Sequence, residues 1–395
     1  MKLLKLENAI SSCLKDIKPK KIINIPLGSA RGHVIAVKLS ARRNSPPSDL
    51  SAMDGYAFKH DNNFKENHTL SILGKSPAGH DFNNSVNIGD AVKVYTGSVM
   101  PVGTDTVIIQ ENTKVAGTQL SLTKIPKKNE NVRKKGFDFK LGETLIKKGT
   151  KLTPKHISLA ASMNYTNLQT YQKPKIAIIS NGDELVKPGS KNAEKKIISS
   201  NIYGIKAYAE QLGAIADDFG IAKDSLRSLR EKIKKAGSHD IIITIGGASV
   251  GEFDLVKESV REDLDLRFWK IAMRPGKPLI YGRIGGAHLL GLPGNPVSAH
   301  VCCQLFLKPM INKFMNFKEE DLYVKEAKLK VDIEKNDERQ DYIRAFYKDG
   351  YVLPNKVQDS SSLSVLSSSN VYIVREPYAP LKKAGEVVKI LKIDF

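Results

Sequence analysis

The chain has 395 residues, 41% of them hydrophobic and 26% charged, and its 62 Lys and Arg outnumber 42 Asp and Glu to give a net charge of +20. That length exceeds a single hydrophobic core and predicts roughly two to four domains, while the ordinary apolar content excludes a disordered or membrane-embedded chain. The positive charge is scattered, with short clusters at Lys124 to Lys135 and Lys187 to Lys196 and no aromatic platform or arginine-rich arm, so nucleic acid is not an expected partner.

In chain order, MKLLKLENAISSCLKDIK reads as a helix whose apolar runs are broken by charges too early for a secretory leader, and no stretch is long enough for a membrane span. A cytoplasmic protein is expected. Cys13, Cys302 and Cys303 cannot form a disulfide framework, which fits a reducing compartment. Residues 25–138 are dense in Gly, Asn and short Val/Ile runs and predict small β elements. Three segments there hold polar groups beside turn residues: SAMDGYA with Asp54, YTGSVMP with Thr96 and Gly97, and VRKKGFD with Arg133 and Asp138. Each by itself reads as a local turn. Thr153-Pro154 opens a further helix reaching Asn164.

The middle third alternates strands and helices, the pattern of a parallel sheet covered on both faces. Lys175 to Ser180 is apolar on both sides, as a central parallel strand must be. Asn201 is expected to cap a helix closed by Gly213, and Asp224 to cap one ended by Gly237. Strands follow at Asp240 to Ile245 and within LRFWKIAM, PLIYGRI and HLLGL, with a helix from Leu255 through Ser259 and the VRED stretch between them and another from Pro296 through Leu307. The last 70 or so residues alternate apolar and polar and predict a small β-barrel or sandwich.

The segment HDIIITIGGASVGEFD carries the chemistry most plainly. A buried strand empties into Gly246-Gly247, then Ser249, Gly251, Glu252 and Asp254, which suits a phosphate with a divalent cation beside it: glycines admit a bulky anion to backbone N–H groups, the hydroxyl adds a donor, and carboxylates hold a hard cation. More acids recur at the C-terminal ends of strands, Asp183 and Glu184 after Gly182 and then Asp224, on the edge where ligands bind in an open α/β sheet. Downstream, FWKIAMRPGKP sets Lys270, Arg274 and Lys277 in a proline-braced turn able to hold a tetrahedral oxyanion.

SAMDGYA, YTGSVMP, RKKGFD, NGDEL, GGASVGEFD, FWKIAMRPGKP and GLPGNPVSA together, in this order, resemble the MoeA family of molybdopterin molybdenumtransferases, to which the gephyrin E domain is also similar. The resemblance implies a multidomain α/β plus β protein: a central doubly wound, MogA-like molybdopterin-binding domain, a β-rich N-terminal insertion with a helical linker domain, and a C-terminal β-barrel. The implied division is 1–24, 42–50 and 139–173 for the helical linker, 25–41 and 51–138 for the β-rich domain, 174–322 for the α/β domain and 323–395 for the barrel. It implies the final step of molybdenum cofactor synthesis, in which adenylylated molybdopterin is cleaved with Mg²⁺, AMP leaves and molybdate-derived molybdenum enters the dithiolene. By motif position, Asp54, Asp138, Glu184, Asp224, Asp254 and Lys270 would be catalytic, with Asp224, Asp254 and Glu184 on Mg²⁺. Thr96, Gly97, Arg133, Gly182 and Asp183 would bind the cofactor precursor together with Gly246, Gly247, Ser249 and Gly251. Arg274, Lys277, Pro278, Ser298 and Arg344 would contact molybdate. A homodimer is implied, with Asp54 and Asp138 facing the other subunit's central domain, as are contacts with molybdopterin adenylyltransferase and recipient molybdoenzymes. Asn181 departs from the threonine usual in the family, and Ala248 from valine. An adenylyltransferase and a gephyrin-like scaffold are the rival expectations.

Overall fold

The computed structural model describes residues 3–191, 193–246, 264–318 and 324–395. The expected helix from Leu255 through the VRED stretch lies outside them. The N-terminal helix, Leu6–Lys15, buries Leu6, Ala9 and Cys13. These side chains share one apolar cluster with Ile176, Ile241 and Leu290, so this helix packs on the central domain rather than within the linker.

Strand Ile22–Pro26 pairs antiparallel with Asn167–Tyr171, and Leu39–Ser40 with Thr144–Ile146. Together with helix Pro154–Ser162 they enclose Ile35, Leu39, Phe139, Ile146, Ala160 and Leu168. Residues 25–41 therefore join the linker and not the β-rich domain. Their short apolar runs marked them as β elements, but the choice of partner is a long-range matter that local pattern does not encode.

The β-rich domain is a six-stranded sheet in which Gly55–Phe58 lies between Asp90–Val94 and Thr106–Ile109. A Cβ on Gly55 would stand 1.9 Å from the Ile108 carbonyl oxygen, so this glycine lets two strands close up just after Asp54.

In the central domain, Ile215–Ala222, Lys175–Asn181, Ile241–Ile245 and Ala287–Leu292 run parallel. Ile280–Ile284 and Leu264–Phe268 extend the sheet antiparallel. Gly285-Gly286 joins Ile280–Ile284 to Ala287–Leu292 in a connection too short for a crossover, which fixes that reversal. Helices Asn201–Leu212 and Leu226–Lys235 cover the sheet, the first ended by Gly213 at φ 103°. The two expected caps differ. Asn201 sits within its helix and donates from Nδ2 to the Gly294 carbonyl at 2.7 Å. Ser225 caps the second helix, its hydroxyl accepting from the Ser228 N–H at 3.3 Å, which leaves Asp224 for other work. The helix beginning at Pro296 runs α-helical to Cys302, as a π-helical turn over Cys303–Leu307, and continues past Leu307 as Lys308–Phe314.

Five C-terminal strands close a barrel: Gln340–Lys348, Tyr351–Pro354, Val324–Leu329, Val387–Lys392 and Val371–Arg375, the last pairing back to the first. Closure removes unpaired edges. Ala345, Ile373 and Ile390 fill its interior, whereas Tyr342, Tyr372 and Leu391 join the central domain's apolar cluster. Met273–Arg274, a strand from the central domain, pairs parallel with Gln340–Asp341 and stitches the two domains together. No helix among the described residues is long and apolar enough to cross a membrane.

The central core also holds His288, 3% exposed, whose Nδ1 lies 2.8 Å from the Tyr281 hydroxyl. Burial, reinforced by Arg283, pushes its pKa down to about 4 from the ordinary 6.5. The unfolded chain therefore takes up a proton that the native state refuses between these values, so this residue makes stability fall as pH drops through that window, by up to about 3 kcal/mol. His288→Gln is expected to flatten that part of the profile in thermal unfolding from pH 7 to pH 4; equal slopes for the two proteins would exclude the effect.

Candidate active site

Two neighbouring cavities lie where the central domain meets the barrel. The first, about 340 Å³, opens at the C-terminal ends of the parallel strands and is lined by Asn181, Glu184, Asn201, Gly246, Asn295 and Ser361 among others. Gly246, at φ 87°, would place a Cβ 2.5 Å from the Asn181 carbonyl oxygen, and only glycine permits that approach. Gly182 similarly lies against the Glu184 carboxylate, 2.5 Å from a Cβ position to Oε1. Freed from capping, Asp224 reaches back to the adjacent strand end. Its Oδ1 accepts from Asn181 Nδ2 at 2.9 Å and its Oδ2 from the Asp183 N–H at 3.0 Å, while Asp183 Oδ1 accepts from the Asp224 N–H at 3.3 Å.

These residues fit a hard divalent cation of the Mg²⁺ type. Each Asp224 oxygen keeps a second lone pair after its one hydrogen bond, Glu184 lines the cavity beside Asn181, to which Asp224 is hydrogen-bonded, and the Asn181 Oδ1 is buried without a hydrogen-bond partner among the described residues. Magnesium is commonly held by one or two carboxylates with water and substrate phosphate completing its shell. Among the described residues no group of three or more His, Cys, Asp or Glu is arranged to hold a metal ion. Gly247, Ser249, Gly251, Glu252 and Asp254 lie outside the described residues.

The second cavity, about 700 Å³, brings Arg274, Lys277, Pro278, Ser298 and Arg344 to one wall system. Gly276, at φ 106°, seats the cationic turn on the buried Cys302, whose sulfur would be 2.8 Å from a Cβ there. Burial pushes the thiols of Cys302 and Cys303 well above their usual range, so both act in packing. Arg344 is 1% exposed. Its Nη2 donates to the carbonyls of Asp359 (3.1 Å) and Val357 (3.5 Å), while its Nε has no hydrogen-bond partner and no described carboxylate pairs with the guanidinium. Burial works against that charge, with Tyr372 and Asp359 favouring it. A guanidinium that lines a cavity with no described carboxylate partner is a positive charge suited to an anion there. Asn295 lines both cavities, and its Nδ2 donates to the Ser360 hydroxyl at 2.8 Å.

Sequence reasoning missed Asn295, Ser360, Asp337, Arg339 and Asp341. Of these Asn295 offered a signal within GLPGNPVSA, and Asp341 another, three residues before Arg344 in DYIRAFY. Its carboxylate, 6% exposed as a residue, accepts from Arg274 Nε at 2.9 Å and Nη2 at 2.7 Å.

Other expected site residues stay apart from both cavities. Asp54 Oδ1 accepts from the Thr96 N–H at 2.7 Å and the Thr96 hydroxyl at 2.9 Å beside Gly97. Those bonds, backbone first, hold Asp54 below the usual carboxylate range and hence ionised. Arg133 lies on a short strand paired with Leu50–Ser51, and the Asp138 N–H donates to the Ser45 carbonyl. All five remain in the β-rich domain or its border with the linker. Lys270 lies with its Nζ 3.9 Å from the Trp269 ring centroid and lines neither cavity, so the structure does not bring it to the cationic wall.

The sequence matches the MoeA N-terminal region (domain I and II) over residues 4–164, a probable molybdopterin binding domain over 177–313 and the MoeA C-terminal region (domain IV) over 326–393. It is 34% identical over 401 residues to the molybdopterin molybdenumtransferase of Haemophilus influenzae, covering 98% of each chain. It is 30% identical over 398 residues to that of Staphylococcus epidermidis, covering 98% of this chain and 95% of the relative. Two crystal structures of the molybdopterin biosynthesis MoeA protein from Pyrococcus horikoshii superpose with TM-scores of 0.82 and 0.81 at 25% and 27% identity, covering 100% and 99% of this chain and 100% of theirs. The chain belongs to the MoeA family of molybdopterin molybdenumtransferases, enzymes of molybdenum cofactor biosynthesis.

Proposed function

We propose that this enzyme carries out the final insertion: adenylylated molybdopterin is cleaved at its pyrophosphate bond with Mg²⁺, AMP leaves, and molybdate-derived molybdenum is ligated by the dithiolene. The observation that carries this reading is the adjacency of the two cavities. The strand-end cavity has the glycine approach and the Glu184 carboxylate, with Asp224 hydrogen-bonded to its lining residue Asn181, which suit a diphosphate held with a cation, and its neighbour gathers Arg274, Lys277 and the buried guanidinium of Arg344 around a space for a tetrahedral oxyanion. Asn295, shared by both, is placed to touch the two substrates at once.

The bound Mg²⁺ supplies positive charge against the diphosphate. Within the chain, Asn181 and the Asp183 N–H aim the Asp224 carboxylate, Gly246 lets the backbone near the phosphates, and the Ser298 hydroxyl adds a donor beside the cations. Molybdenum's soft sulfur ligands come from the pterin, because both cysteines near the cleft are buried and protonated. In the proposed homodimer, the β-rich domain of a second copy brings Asp54 and Asp138 to this cleft; Asp54, ionised and exposed, lines neither cavity of its own chain.

The decisive assay measures AMP release from adenylylated molybdopterin with Mg²⁺, with and without molybdate. Release with formation of molybdenum cofactor is expected. Formation of adenylylated product from molybdopterin and ATP, with no cleavage, would instead establish an adenylyltransferase.

A further inference from the structure

Arg274 presents five N–H groups, and the structure spends most of them on carboxylates. The buried Asp341 takes Nε and Nη2 in a bidentate grip from a strand that is hydrogen-bonded to Arg274's own strand. Asp337 differs. It lies in the loop before that strand, its side chain is 45% exposed, and its Oδ2 stands 3.4 Å from Arg274 Nη1. The same Oδ2 accepts from Arg339 Nη2 at 2.5 Å, and Oδ1 accepts from Arg339 Nε at 3.1 Å and the Arg339 N–H at 3.0 Å. Arg274 and Arg339 both line the oxyanion cavity, so one carboxylate occupies two of its guanidinium groups. Asp341 is a fixed anchor: buried, two-pronged and on a strand. Asp337 is exchangeable: half in solvent, on a loop, and touching Arg274 through one long bond that little energy holds.

Resting on the oxyanion reading of this cleft, we propose that Asp337 is a tethered competitor, a carboxylate that occupies Arg274 and Arg339 until a tetrahedral dianion takes its place. It sets the oxyanion affinity of the enzyme. A carboxylate and a tetrahedral oxyanion seek the same planar donors, and the tethered one is present at high local concentration. Each anion that binds must displace it or forgo Arg274 Nη1.

The test is equilibrium binding of sodium molybdate to the full chain at fixed ionic strength. Asp337→Asn and Asp337→Ser remove the charge while leaving an oxygen to accept from the Arg339 N–H, so that the loop folds. Both are expected to bind molybdate more tightly by roughly two- to fivefold, the worth of one partly exposed charge contact. Asp349→Asn, an equal charge change in the turn at the far end of the 340–348 strand, is expected to leave binding unchanged. Wild-type affinity in both Asp337 variants, or an equal gain in Asp349→Asn, would overturn the proposal. If wild type binds molybdate, Arg344→Ala does not, and the Asp337 variants match wild type, the oxyanion reading stands and only the competitor falls. If wild type takes up no molybdate, both fall.

Discussion

Asp224→Ala is expected to lower Mg²⁺-dependent AMP release from adenylylated molybdopterin by on the order of 10²- to 10³-fold, the usual effect of deleting one preorganised electrostatic group in an active site. The carboxylate does two things at once. In the proposed reaction it would offer lone pairs to a cation beside the diphosphate, and it holds the loop after the Lys175–Asn181 strand through Asn181 Nδ2 and the Asp183 N–H. Asp224→Asn separates these roles, because its amide oxygen can still accept one of the two bonds while the charge is gone. If the charge matters most, Asn and Ala variants lose activity alike; if loop geometry matters most, Asn retains much of it. Ser225 caps the following helix, so neither variant should unfold it, and a shared thermal midpoint with wild type checks that point. Full activity in both variants would remove Asp224 from the site.

The second large effect is expected at Arg344. Arg344→Ala should raise the molybdate concentration needed for cofactor formation by about tenfold or more, as loss of a buried charge-assisted donor commonly does. Nucleotide binding should be spared, since Arg344 lines the oxyanion cavity and not the strand-end one. Arg344→Lys keeps the charge but loses the planar fork, and with it the simultaneous reach to the carbonyls of Asp359 and Val357 and to an anion in the cavity the residue lines. An intermediate molybdate dependence is therefore expected for Lys. Truncation also empties a fully buried volume, so the Lys variant guards against reading a packing defect as a binding one. Unchanged molybdate dependence in both variants would remove the buried guanidinium from the binding wall.

Local pattern was enough for the alternating strands and helices of the middle third, for Gly213 as a helix stop, for the alternating barrel strands and for the glycine turns. Hydrophobic periodicity and turn chemistry act over a few residues, and these features are settled within that range. The motif order pointed as directly to the family. What the sequence left open was decided by contacts between distant segments. Asp224 reads locally as a helix cap; only the parallel pairing of Ile215–Ala222 with Lys175–Asn181 brings it to Asn181 and Asp183 and leaves capping to Ser225. Residues 25–41 read as strands, but partners at 144–171 assign them to the linker. Asp341 and Arg344 sit on a strand buried on both faces, one toward the barrel interior and one toward the central domain, so no alternation flagged them. The cationic turn at Arg274 meets them because Met273–Arg274 pairs with Gln340–Asp341, a register across some 70 residues that depends on packing of whole domains and leaves no trace in either segment's own pattern.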